Sequence, residues 1–247
     1  MRLLRLVCLS LLLIGFNVLA EHHEADALRA RLDNPGRAED DKARDAGRKP
    51  ADVVTFLGIG EGMTVMDVIA AGGYYTEVLS NAVGDDGVVY AQNPARVLQF
   101  RDGANDKALT ARLSDDRLSN VVRWDREMTD IGIEPGSLDA ALTALNFHDV
   151  YNTDANAAGE FLQVIKGLLK PGGVLGIVDH NGQPGADNSA LHRIEKAIVV
   201  ESVTAAGFEI AGDSDLLANA DDDGTMMVFA PDIRGKTDRF LLKMVKP

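Results

Sequence analysis

Two histidines are the groups in this chain best placed to move a proton near neutral pH. They are His148, in Asn146-Phe147-His148-Asp149, and His180, in Asp179-His180. Each follows an apolar run that reads as a strand, Ser137 to Leu145 and Val174 to Val178, so both fall at carboxyl strand ends, where ligands sit in open α/β sheets. An imidazole titrates near neutrality and can accept the proton that a hydroxyl or amine loses as it reacts. His148 is the better candidate for this general base. Asp149 could orient it or contact the substrate, and Tyr151 could line the wall. The competing role for both histidines is hydrogen bonding to loop backbone, because many group transfers need little beyond proximity and in-line geometry.

A second constellation lies upstream, in Val65-Met66-Asp67-Val68-Ile69-Ala70-Ala71-Gly72-Gly73-Tyr74-Tyr75-Thr76-Glu77-Val78-Leu79. An apolar run ending near an acid, then small residues, then an amphipathic run reads as strand, tight turn and helix. Gly72 and Gly73 remove side chains where a ligand would approach the backbone, and the helix start offers free N–H groups. Asp67 can accept hydrogen bonds from the turn or from a ligand's ammonium or hydroxyl. An ordinary turn with glycines kept for packing is the competing reading. After the next strand, Val88 to Ala91, stands Gln92-Asn93 where nucleotide-binding enzymes usually carry an acid for ribose hydroxyls. An amide offers one acceptor oxygen where a carboxylate offers two.

These residues resemble the first motif of the class I S-adenosylmethionine-dependent methyltransferases, Asp-x-Gly-x-Gly-x-Gly. Asp67, Ala71 and Gly73 stand at the acid, second-glycine and third-glycine positions, and Ile69 replaces the first glycine. Gly72 to Glu77, Leu169 to Gly173 and the Gly235 to Phe240 terminus are more closely similar to a group of bacterial methyltransferases with signal peptides. The resemblance implies S-adenosylmethionine as cofactor, with Asp67, Ala71, Gly72, Gly73, Tyr74, Asn93 and Asn146 on its side of the site and Asp125 near the adenine amino group. Asp125 as a helix cap is the alternative. The family's Arg-x-x-x-Arg-x-Pro pattern is present as Arg44, Arg48 and Pro50, either a lid over the cofactor or a solvated helical face. Ile69 is β-branched and resists a positive φ, so the turn is expected to take its permissive conformation from Gly72 and Gly73.

The elements needed to position these groups alternate as strands and helices. Further strands are read at Val121 to Trp124, Phe208 to Ile210 and Arg239 to Val245. Helices are expected over 24–33, 105–113, from Thr153 or Asp154 to Lys170, and over Ser189 to Ala206. The alternation points to an α/β fold, and the resemblance implies its form, a Rossmann-like methyltransferase fold: a seven-stranded, mostly parallel sheet with a C-terminal antiparallel hairpin. The organisation is a signal peptide at 1–20, an N-terminal helical extension at 21–49 and a methyltransferase-like domain at 50–247.

Met1 to Ala20 carries two arginines, an apolar core and Val18-x-Ala20, the pattern of a cleaved secretory leader; the competing reading is an uncleaved membrane anchor, for which the apolar run falls short of the about 20 residues a span needs. Cleavage leaves 227 of the 247 residues, enough for one sizeable core, and moves the formal charge from −13 to about −15 as Arg2 and Arg5 leave. So acidic a chain repels nucleic-acid backbones and anionic lipid, which leaves a small molecule as the expected substrate and no stable membrane association. Cys8, the one cysteine, leaves with the leader, excluding disulfides and thiolate chemistry. The new terminus, Glu21-His22-His23, has the spacing of a square-planar Cu(II) or Ni(II) site, or is a solvated tail. Otherwise no metal-ligand set is read, and Asp221-Asp222-Asp223-Gly224 lacks the alternating ligands of a calcium loop and reads as solvated. The expected activity is S-adenosylmethionine-dependent methyl transfer to an unidentified small acceptor in an exported, periplasmic or secreted protein. An exported metabolite-binding protein without catalysis is the alternative, and nicotinamide redox chemistry is disfavoured because no Gly-x-Gly-x-x-Gly follows the strand.

Overall fold

A computed structural model describes residues 23–247; the leader and the Glu21-His22 part of the terminal metal motif lie outside the described residues. Seven strands form one sheet: β1 (Thr64–Val68), β2 (Val88–Gln92), β3 (Val121–Trp124), β4 (Leu138–Ala144), β5 (Leu169–His180), β6 (Glu209–Ser214) and β7 (Arg239–Val245). Their order is β3-β2-β1-β4-β5-β7-β6. The first five are parallel, and β7 inserts antiparallel between β5 and β6. The expected sheet and its closing antiparallel strands are therefore present.

Alternation along β1 decides what each face holds. Met66 and Val68 enter the cluster with Leu162, Ile165, Val199 and Phe208. Val65 enters the opposite cluster with Val54, Leu57, Val78 and Leu79, the period of two expected for a doubly covered strand. The helices covering the sheet are α1 (23–32), α2 (Glu39–Arg48), α3 (Pro50–Leu57), α4 (Tyr74–Val83), α5 (Ala95–Arg112), α6 (Phe147–Thr153), α7 (Ala155–Leu168), α8 (Asn188–Leu191) and α9 (Lys196–Ala205). Leu28 and Leu32 of α1 pack in the same cluster as α3 and α4. Asp154 caps α7 by accepting from the Asn156 amide. Among the described residues no helix is long and apolar enough to cross a membrane.

Three expected elements differ. α5 begins ten residues early, at Ala95, and is interrupted by non-helical backbone at 100–103 before its expected half. β5 begins at Leu169, opposite Leu138, rather than at Val174. The helix expected over Ser189 to Ala206 breaks at His192 (φ 55°), because Ile194 pairs with the chain beyond β5: its N–H donates to the His180 carbonyl at 3.0 Å, and its own carbonyl accepts from Gly182 at 2.9 Å. Ile194 and Arg193 are both buried there. No glycine or proline marks the break; tertiary hydrogen bonds and burial overrule local helical propensity.

Candidate functional site

The turn after β1 keeps a glycine-like conformation without the glycine. Ile69 has φ 58° and Ala71 has φ 50°. This corrects the expectation that Ile69 would stay in ordinary backbone space. Neighbouring amides hold the strained residues: the Ile69 N–H donates to Gln92 Oε1 at 3.0 Å, and Asn146 Nδ2 donates to the Ile69 carbonyl at 3.1 Å. The Ala71 N–H donates to Asn93 Oδ1 at 2.8 Å, while Asn93 Nδ2 returns to the Ala71 carbonyl at 3.2 Å. Gln92 and Asn93 are fully buried and fasten the turn, so Asn93 does not line the cavity as the sequence reading had it. A left-handed β-branched residue costs of order 1–3 kcal/mol and persists where surrounding contacts over-determine it.

Gly73 is also left-handed (φ 83°), but an added Cβ there would stand 2.8 Å from Leu109 Cδ1 and 3.0 Å from Arg112 Cδ. It faces α5, not a ligand, and on this residue the packing reading prevails. Asp67 remains at the turn's floor, its Oδ2 accepting from Thr76 Oγ1 at 2.6 Å. Burial raises its carboxyl to about 6, against the opposing hydrogen bonds from Thr76 and the charges of Arg112 and Arg48.

Helix α2 roofs this floor. Its Arg48 and Arg44 guanidiniums lie 4.4 and 5.0 Å from the centroid of the Tyr74 ring, and Arg37 lies at 5.4 Å. The Tyr74 hydroxyl donates to Asp45, which also pairs with Arg37. Asp41 pairs with Arg44 and with Arg112 of α5, which in turn pairs with buried Glu77. Arg44 and Arg48 thus border the cavity, with Arg44 still 48% exposed to solvent.

Beneath α2 is a cavity of about 430 Å³ lined by Asp67, Ala71, Gly72, Tyr74 and Asn146 on one side and by His148, Asp149, His180 and Phe229 on the other. Its rim includes Leu145, a third non-glycine residue in left-handed backbone (φ 63°). Asp125 lies elsewhere, half-exposed and paired with Arg123. Of the residues expected to bind, react or line the wall, Gly73, Asn93, Asp125 and Tyr151 are the ones this cavity does not gather; Tyr151 packs instead beside Ala155 and Ile198.

His148 is held by a residue the sequence reading did not assign to it. Its Nδ1 lies 2.7 Å from Oδ1 of fully buried Asp179, whose other oxygen accepts from the His148 backbone N–H at 2.8 Å. Its Nε2 is buried without a hydrogen bond, 3.3 Å from Asp149 Oδ1. His192 Nδ1 lies 3.0 Å from the same Asp149 oxygen. Burial lowers the His148 pKa, but the Asp179 charge, the nearby Asp149 carboxylate and the bond to Asp179 outweigh it and lift the ring to about 10. Carboxylates on both sides favour the protonated ring, which makes His148 a weaker proton acceptor than neutral His180. Burial, and then the charges of His148, Arg239 and Arg193, hold His180 well below its ordinary value and keep it neutral; its Nδ1 lies 2.7 Å from Thr237 Oγ1.

A second chamber of about 490 Å³ adjoins the first across Arg44, Arg48, Leu145, His180 and Phe229. It adds Arg234, Lys236 and Arg239. Among the described residues none of Arg48, Arg234, Lys236 and Arg239 has a carboxylate within ion-pair distance, and the chamber wall carries no acid. This is a cationic recess in a chain of charge −13. His192 and Phe229 carried no sequence signal of their own, because each reaches the site from a loop distant in sequence, whereas Arg239 lies in the Gly235 to Phe240 stretch that carried the resemblance without a role. Asp222 was also misread: it is buried and bidentate with Arg193 at 2.8 and 3.0 Å, anchoring the loop that carries Phe229.

Neither a protein-family model nor a curated protein matches the sequence. Solved structures do. A SAM-dependent methyltransferase from Aquifex aeolicus is similar over 90% of this chain and 98% of its own, at 20% identity and a TM-score of 0.62. The [4+2]-cyclase SpnF is similar over 87% and 85%, at 19% identity and a TM-score of 0.61. An S-adenosylmethionine-dependent methyltransferase from Mesorhizobium loti is similar over 81% and 97%, at 13% identity and a TM-score of 0.55. The chain has the Rossmann-like methyltransferase fold. One neighbour being named a cyclase illustrates that fold and reaction are separate matters.

Proposed function

We propose that this protein is an S-adenosylmethionine-dependent methyltransferase whose acceptor is a small anion. The observation that carries the reading is the strain: Ile69, Ala71 and Leu145, none of them glycine, all take left-handed backbone where they line one cavity at the ends of β1 and β4. Strain of this kind persists at ligand sites, where it fixes backbone groups toward the ligand. The residues fit the cofactor at its amino-acid end. Asp67 is a buried carboxylate with no cation in hydrogen-bonding contact, suited to an ammonium, and Arg48 on α2 is suited to a carboxylate. Ala71, Gly72, Tyr74 and Asn146 complete that wall. The ribose end has no acid, since Gln92 and Asn93 are occupied by the turn.

When bound, S-adenosylmethionine supplies an electrophilic methyl group on a sulfonium. The chain's own residues do the rest. Arg234, Lys236 and Arg239 attract and orient the acceptor's negative charge, α2 shields the cavity from water, and His180, at the boundary of both chambers, takes the acceptor's proton. Calorimetry against S-adenosylmethionine, S-adenosylhomocysteine and NAD tests the cofactor: the first two bind and NAD does not. Failure of S-adenosylhomocysteine to bind refutes the reading. Labelled-methyl transfer to panels of small carboxylates, phosphates and neutral analogues then tests the acceptor. Arg234→Ala, at an exposed position, should raise KM for an anionic acceptor about tenfold at unchanged cofactor affinity, as loss of one charge-assisted contact would. Export belongs to the same proposal, and amino-terminal sequencing of the mature protein should read Glu21-His22-His23.

A further inference from the structure

We propose that His148, Asp149 and His192 bind a divalent first-row transition-metal ion at the edge of the cavity. Among the described residues they are the one group of three such side chains whose donor atoms, one from each, lie within 4.8 Å of one another. His148 Nε2 and Asp149 Oδ1 are 3.3 Å apart, and His192 Nδ1 is 3.0 Å from that oxygen. Two donors bonded to one tetrahedral ion at about 2.1 Å would stand about 3.4 Å apart, so those two spacings need only small adjustment. Two imidazoles and one carboxylate suit zinc, iron(II), cobalt(II) or manganese better than magnesium or calcium, which prefer all-oxygen shells.

Three further observations point to a ligand. His148 Nε2 is a buried nitrogen with no hydrogen-bond partner, aimed at Asp149, and the residue is 2% exposed. The Asp149 and Asp179 carboxylates that favour a proton on this ring equally favour a metal cation, which takes the place of the Nε2 proton as it binds. The opposite ring nitrogen bonds Asp179, which is itself fixed by the backbone N–H groups of His148 and His180 at 2.8 Å each. This carboxylate-to-imidazole arrangement orients a metal-binding histidine and raises its basicity. Finally, His192 is presented from left-handed backbone (φ 55°) created by the break between α8 and α9, with its ring 5.0 Å from that of Phe229. The Asp149 and His192 side chains are 50% and 37% exposed, so the ion keeps coordination positions for water or an acceptor oxygen on the cavity side.

Metal-stripped protein titrated with Co(II) tests this. Co(II) gives visible absorption when bound by two imidazoles and a carboxylate, and it is not the ion favoured by a square-planar site at the amino terminus. One equivalent should bind with a visible band, and Zn(II) should displace it. His192→Ala, at a half-exposed position that leaves the fold intact, should weaken binding more than a hundredfold and abolish the band. Asp179→Asn, as a positioning substitution, should weaken it about 10- to 100-fold with the band retained. Absence of a band in the parent protein, or equal affinity in parent and His192→Ala, overturns the assignment. Neither outcome depends on S-adenosylmethionine binding, so this site and the cofactor site fail or stand separately.

Discussion

Replacing Asp67 with asparagine should stabilise the ligand-free protein at neutral pH. The Asp67 carboxyl is buried and raised to about 6, against 3.8 for a solvated one. Folding therefore favours its protonated form. The stability this contributes is fully present below about pH 3.8 and is lost as pH rises through about 6. At about 1.36 kcal/mol per pH unit, the gap corresponds to about 3 kcal/mol missing at pH 7.5. An asparagine side chain at this position carries no charge to desolvate, and its oxygen can still accept from Thr76. Differential scanning calorimetry should show Asp67→Asn melting about 6–12 °C above the parent at pH 7.5, with the difference falling below about 1 kcal/mol by pH 4. Saturating S-adenosylmethionine should reverse the order, because the parent's carboxylate then meets a cation. A variant no more stable than the parent at pH 7.5, or a difference that does not shrink on acidification, would refute the argument that Asp67 is an uncompensated buried acid.

Gly73→Val should lower stability by more than about 3 kcal/mol in urea denaturation, since it combines a left-handed β-branched residue with overlap onto Leu109; a variant as stable as the parent would return Gly73 to the ligand wall. Gln92→Ala leaves the Ile69 N–H and the Arg126 carbonyl without their partner and should cost about 1–3 kcal/mol by the same measurement. Asp222→Ala strands the fully buried Arg193 guanidinium and should cost about 3–5 kcal/mol, whereas a solvated Asp222 would cost almost nothing.

The sheet and most of its order of elements were legible because apolar runs of strand length alternate with amphipathic runs, and because that periodicity is a local property. Asp67 and the histidines after β4 and β5 were legible for a related reason: a residue at a carboxyl strand end of a parallel sheet faces the ligand crevice wherever the chain goes next. The tertiary structure alone decided the partners. Nothing local joins His148 to Asp179 or brings His192 to Asp149; β4 and β5 must pair in register, and a helix without breaker residues must open at His192 so that Ile194 can bond to the chain beyond β5. The amides of Gln92 and Asn93 likewise could be read only as a missing ribose acid until the turn was seen to bond them. Local sequence sets which conformations are cheap, and Ile69 in left-handed backbone is not one of them. It is held there by hydrogen bonds with residues 23 and 77 positions away, and such contacts exist only once the chain has folded.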